Sequence, residues 1–171
     1  MKKLRVIPLG GLGEIGKNML LLEYGDDIVV IDAGLMFPLE DMLGIDMVIP
    51  DISYLVENKH KVRGIIVTHG HEDHTGALPF VLPQVNVPIY STKLTNGLIT
   101  VKLKERKLLN DTQLNVIEPG QQFSLGQFTI EFFEVNHSIP GAVGLVIHTP
   151  VGIVVHSGDF KVDYTPVHGN P

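Results

Sequence analysis

Six consecutive positions hold most of the chemistry this chain could do: His69-Gly70-His71-Glu72-Asp73-His74, three imidazoles and two carboxylates with one glycine between them. A lone histidine at a strand end is ordinarily structural. Three with an aspartate at this spacing are hard to explain by packing, because buried imidazoles and carboxylates need partners. A divalent cation is such a partner. His69 and His71 stand two apart on an extended loop after a strand, so their rings can converge on one ion. Asp73 and His74 open the next helix and can face a second. Imidazole and carboxylate suit zinc, and manganese also fits the set. The chain has no cysteine, so thiolate sites and disulfides are excluded.

These residues need a frame. A short buried strand over 64–68 delivers His69, and a helix over 74–82, stopped by Pro83, follows. Upstream, a strand over 4–9 runs into a glycine-rich turn. Apolar runs over 18–24 and 28–32, separated by Gly25-Asp26-Asp27, predict an antiparallel hairpin. Helical spacing recurs over 51–56. A strand over 87–90 leads to a helix capped by Ser91, with Leu94, Leu98 and Val101 as its apolar positions and a basic end at 102–107. Strands return over 114–117, 128–135, 142–148 and 153–156. Strands with interleaved helices predict an α/β sandwich, sheets inside and helices outside.

Length and composition agree with one globular domain. The chain has 171 residues, 44% hydrophobic and 19% charged, with 18 Gly and 11 Pro for many turns. The net charge of −6 does not announce a nucleic-acid partner. Two divalent ions would nonetheless add about four positive charges at one spot, where a phosphodiester could sit. No apolar run approaches the roughly 20 residues of a membrane helix. Met1-Lys2-Lys3-Leu4-Arg5 lacks the apolar stretch of a signal peptide, so a cytoplasmic protein without membrane contact is expected.

Gly11-Leu12-Gly13-Glu14-Ile15-Gly16 matches the GxGxxG pattern of dinucleotide-binding folds and follows a strand. That pattern must open a helix whose N-terminus faces a pyrophosphate. Here only the seven residues 18–24 precede another turn, too few for a crossover helix. The glycines are better read as a tight turn near the floor of the active site.

An HxHxDH run after a hydrophobic strand resembles the signature of the metallo-β-lactamase superfamily. Other motifs of that superfamily follow in order: Asp32 in Ile31-Asp32-Ala33-Gly34, His137 in Asn136-His137-Ser138-Ile139-Pro140, and Asp159 in Gly158-Asp159-Phe160-Lys161. The stretches from Pro8 to Asn18, Gly34-Leu35-Met36-Phe37-Pro38 and Ile49-Pro50-Asp51-Ile52-Ser53-Tyr54 resemble the ribonuclease J family of its β-CASP branch. The resemblance covers essentially the whole chain. Gly141 departs from it, where an acidic residue is expected, but that position is not a ligand.

The resemblance implies an αββα sandwich and a role for each matched residue. His69, His71 and His137 would hold a first metal ion, Asp73 and His74 a second, and Asp159 would bridge both. Asp32 would orient a ligand histidine or the attacking water, and Asp73 and Asp32 are the residues on which catalysis is expected to depend. The ions, most fittingly Zn2+ with Mn2+ as the other choice, would activate a water and stabilise the oxyanions of an in-line displacement. The implied substrate is RNA, cut internally and from the 5′ end, in rRNA processing and mRNA decay. A homo-oligomer and RNA-decay partner proteins are implied as well. The family inserts a β-CASP domain after the segment matching Asp159 and then resumes the fold, supplying a last histidine for the second ion. Residues 1–171 are thus expected to be the N-terminal part of a metallo-β-lactamase domain, weakly active alone. His60, His148, His156 and His168 are left as structural or exposed. Two other readings remain open: a thioesterase or lactamase of the same fold, and a non-catalytic module.

Overall fold

Residues 19–31 fold back on themselves, as their apolar runs predict. In the computed structural model, which describes residues 2–166, strands β2 (Met19–Tyr24) and β3 (Asp27–Ile31) pair antiparallel. Strand β1 (Leu4–Gly10) pairs antiparallel with β2. On the other side of β3, strands β4 (Val62–Ile66), β5 (Ile89–Thr92) and β6 (Leu114–Ile117) follow in parallel, completing a six-stranded sheet in sequence order. Strands β7 (Gln122–Leu125), β8 (Phe128–Glu134), β9 (Val143–Thr149) and β10 (Gly152–His156) form a second, antiparallel sheet. Helices α1 (Ser53–Glu57), α2 (Glu72–Thr75), α3 (Leu78–Val81) and α4 (Lys93–Glu105) lie in the connections of the first sheet.

The pleat sorts the core into two layers, since successive side chains on a strand point to opposite faces. Leu21, Val30 and Ile65 pack with Leu55, Leu78 and Leu103 on the helical side. Their neighbours Leu22, Val29 and Ile66 pack with Ile130, Phe132 and Leu145 of the second sheet. Each such fully buried side chain stabilises the fold by about 1.5–3 kcal/mol. The described residues therefore form three layers (helices, sheet, sheet) of the αββα sandwich. The outer face of the second sheet carries Ile153 and Val155, 61% and 63% exposed. No helix among the described residues is long and apolar enough to cross a membrane.

Four details differ from the sequence reading. The helix expected over 74–82 is two short ones, α2 and α3. Pro79 stands in the first turn of α3 and Gly76 caps α2, and a proline there suits a helix start rather than a helix interior. Strand β7 was not anticipated. In α4 the buried stripe is Thr95, Ile99 and Leu103, while Leu94, Leu98 and Val101 are exposed. Ser91 belongs to β5, and Thr92 holds the N-cap position instead. The glycine turn leads from β1 into an antiparallel neighbour and opens no helix, so the geometry of a dinucleotide-binding βαβ unit is absent there.

Candidate metal centre

Strands β3 and β4 run parallel with Ile31 opposite Ile66, so the residues leaving them share one edge. Ligands in open α/β sheets bind outside such carboxyl ends. Asp32 extends the ladder by one bond, its N–H donating to Ile66 O at 2.8 Å. Its φ of 62° is left-handed, a conformation aspartate tolerates better than most residues. The carboxylate is buried and accepts bonds from Thr68 N (2.8 Å) and Thr68 Oγ1 (2.9 Å), and His74 Nδ1 lies 2.8 Å from its Oδ2. Burial pushes the Asp32 carboxyl up, but the charge and bond of His74 and the Thr68 N–H outweigh it, leaving it below the usual range. Thr68 also joins the layers, because its carbonyl accepts from Val143 N at 3.0 Å. That contact closes the loop between β8 and β9, which carries His137.

The rings meet at this edge. His69 Nε2 lies 3.0 Å from His71 Nδ1, and His137 Nε2 lies 3.2 Å from the same atom. Tetrahedral zinc with Zn–N bonds of about 2.0–2.1 Å places its nitrogens about 3.3 Å apart. His71 Nδ1 can share at most one proton with the two nitrogens that approach it, so a cation satisfies the trio better than the rings satisfy each other. Burial, then the charges of neighbouring histidines, pushes His69 down to about 3, and burial lowers His137 too. Both are then neutral imidazoles, the form that binds a metal. A second group, His69, His74 and Asp159, also has ligand atoms within 4.8 Å of one another. His74 Nε2 is 3.5 Å from Asp159 Oδ2 and 3.6 Å from Asp73 Oδ2. Burial opposes charge on His74, but Asp32, Asp73 and Asp159 raise it to about 9. An ion held there would take the place of an Nε2 proton.

Close backbone packing sets these positions. Ala33 N donates to His74 O at 2.8 Å and Leu35 N to Glu72 O at 3.1 Å, laying residues 33–35 against α2. Between them Gly34 has no room for a side chain, since a Cβ there would stand 1.5 Å from Asp73 O. Near Asp159, Gly158 takes φ 61° and donates its N–H to His156 Nδ1 at 3.1 Å. A cleft of about 220 Å3 opens between Gly11, Asn18, His74 and Asp159. Another, of about 310 Å3, opens beside His137, Ser138 and Lys161.

The structure thus brings together all of His69, His71, Asp73, His74, His137 and Asp159, and sets Asp32 behind His74. Sequence reasoning gives no role to Thr68 and Asn18, and leaves His156 as structural or exposed. Asn18 Nδ2 lies 3.1 Å from Asp73 O, 3.3 Å from Asp73 Oδ2 and 3.1 Å from His74 Nε2. An amide opening an apolar run directly after a glycine turn was the signal available for it. His60 is exposed on a 3₁₀ turn, His148 lies half-buried on β9, and His168 lies outside the described residues.

Comparison with known proteins agrees with this geometry. The chain is 48% identical over 168 residues to ribonuclease J of Synechocystis, with 97% of this chain and 26% of that protein covered. It is 49% identical to ribonuclease J 1 of Streptococcus pyogenes, covering 97% and 30%, and 48% identical to ribonuclease J of Thermus thermophilus, covering 96% and 30%. The chain therefore spans less than a third of the length of these relatives. Among solved structures, an Enterococcus faecalis protein of unknown function superimposes with a TM-score of 0.72 at 20% identity, covering 94% of this chain and 44% of that one. The metallo-β-lactamase fold protein YhfI of Bacillus subtilis gives 0.62 at 21% identity, covering 92% and 63%. These two likenesses concern the fold alone. The family model described as the metallo-beta-lactamase superfamily matches residues 12–171, a span that holds every residue of the cluster, and the chain belongs to that superfamily.

Proposed function

We propose that this chain carries the metal centre of a ribonuclease J-type enzyme that hydrolyses RNA phosphodiester bonds. The observation that carries the reading is the convergence of His69, His71 and His137 at the carboxyl edge of the parallel strands, with His74 and Asp159 alongside. The near-half identity to ribonuclease J proteins supplies the substrate class. In this reading His69, His71 and His137 hold one divalent ion, Asp73 and His74 hold a second, and Asp159 bridges them; Zn2+ suits the donors best and Mn2+ also fits. Divalent ions held there would supply activation of a water and neutralisation of charge at the phosphodiester. Asp32 fixes the His74 ring through Nδ1, which aims Nε2 at Asp73 and Asp159. The clefts on either side of the cluster give an extended backbone somewhere to run.

Further parts of the reading concern the whole protein. Residues 1–171 form the N-terminal part of its metallo-β-lactamase domain, and an inserted β-CASP domain and a resumed C-terminal part complete the site. It acts in the cytoplasm as a homo-oligomer, with RNA-decay partners, on rRNA precursors and mRNA. The 26–30% share of the relatives' length supports only the reading of residues 1–171 as one part of a longer protein. The test is a substrate panel on the chain: 5′-labelled RNA, a thioester and a β-lactam, each with Zn2+, with Mn2+ and with a chelator. RNA cleavage that is slow and lost with chelator is expected. Hydrolysis of the thioester or the β-lactam with RNA left intact would refute the reading.

A further inference from the structure

The glycine-rich run 10–18 is a sequence motif that the metal reading leaves without a role. Its end is the informative part. Gly10 passes so close to Lys17 that a Cβ there would stand 2.3 Å from Lys17 O. The loop is cinched by Glu14, which accepts from Gly11 N and pairs with Lys17 at 3.1 Å. Gly11 takes φ 83°, and a Cβ on it would stand 2.5 Å from Asn18 Oδ1. The bare backbone of Gly11 therefore gives the oxygen end of the Asn18 amide its place. The nitrogen end is left facing α2. Three atoms lie within its reach: His74 Nε2 at 3.1 Å, and the Asp73 carbonyl at 3.1 Å and Oδ2 at 3.3 Å, which can only accept, so the amide presents its N–H group to the two oxygens.

We infer that Asn18 is a positioning residue for the second cation: its amide holds the Asp73 carboxylate beside His74 Nε2, and the glycine turn exists to hold that amide. The inference rests on the metal reading above. Asn18 is not required to join the loop to α2. Its own backbone N–H already donates to Asp73 O at 3.1 Å, and its carbonyl accepts from Gly34 N at 3.0 Å. The side chain adds what the backbone cannot, a donor on Oδ2. Without it the Asp73 side chain, about a third exposed, is free to rotate toward water. The trio of His69, His71 and His137 makes no hydrogen bond to Asn18.

The test is a zinc titration, by calorimetry, of the metal-free form of the longer protein that carries this chain, with circular dichroism of the same samples. Asn18→Leu keeps the volume and removes the donor, and Asn18→Ala serves if leucine disturbs the fold. Wild type is expected to take up two ions in two events. In the variants the tighter event should stand unchanged while the weaker loses about 10–100-fold in affinity, the usual effect of removing a partner that orients a ligand. Two unchanged events, or both weakened alike, would overturn the inference. A wild-type curve with one event would overturn it too, since Asp73 and His74 would then hold no cation of their own. No event at all in wild type would refute the metal reading itself.

Discussion

Asp32→Asn removes one charge and one acceptor from a fully buried polar cluster. Asparagine has nearly the same volume and tolerates φ 62°, so backbone strain does not confuse the result. The carboxylate accepts from Thr68 N, Thr68 Oγ1 and His74 Nδ1, all within 3.1 Å. An amide has one oxygen. If that oxygen faces Thr68 N, its NH2 faces the His74 Nδ1–H; if it turns, Thr68 N loses its acceptor. Thr68 Oγ1 can rotate and accept, but either a buried donor is orphaned or the His74 ring must give up its Nδ1 proton, which breaks the buried charge pair. An unsatisfied buried donor costs about 1–3 kcal/mol, and breaking a buried charge pair about 3–5 kcal/mol. A loss of about 3 kcal/mol is the reasonable middle. At about 2–4 °C per kcal/mol for a domain of this size, the melting temperature should fall by about 6–12 °C. The assay is thermal unfolding of the metal-free chain followed by circular dichroism. A fall of under about 2 °C would refute the claim that Asp32 is held in an obligatory bond network.

Glu23 predicts a pH effect. It is buried and bonded by Tyr54, Lys61 and Arg5, which outweigh burial and keep its carboxyl below its ordinary value of 4.5. A depressed folded-state value means stability that is full above the ordinary value and lost as pH falls through the depressed one. Melting temperature should therefore drop less steeply below pH about 4.5 in Glu23→Gln than in wild type, and equal slopes would contradict this. For the register of α4, Leu103→Ala should cost about 2–5 kcal/mol in denaturant unfolding and Leu94→Ala about 0.5 kcal/mol or less; the reverse order would return the sequence-based register. Zinc at about 100 times its dissociation constant should stabilise the chain by about 2.7 kcal/mol, a rise of about 5–11 °C that a chelator reverses. No rise at millimolar zinc would count against a preformed site.

Much of the site was legible because metal ligands are chemically conspicuous. His69, His71 and His74 lie within six positions, and no packing role accounts for them together. Asp32, His137 and Asp159 were legible only through resemblance, since a single aspartate or histidine near a strand end has ordinary uses. Asn18 and Thr68 were not legible, because an amide or hydroxyl gains its role from what the fold brings opposite it, 55 residues away for Asn18. In α4, apolar residues lie on two faces, and periodicity alone cannot say which face the sheet will cover. Thr95 joined the buried stripe although its side chain is polar, and Leu94 did not. Strand β7 is only four residues long, with two polar side chains, and is stabilised by pairing with β8 rather than by its own pattern.

The central claim, that this cluster is the metal centre of an RNA hydrolase, is tested most directly by Asp73→Ala in the longer protein that carries this chain. The assay is cleavage of 5′-labelled RNA with Mn2+ or Zn2+, beside a binding measurement on the same RNA. The account predicts that cleavage is abolished while much of the RNA affinity survives, because contacts to the phosphate backbone away from the ions supply most of the binding. Cleavage at the wild-type rate by Asp73→Ala would contradict it.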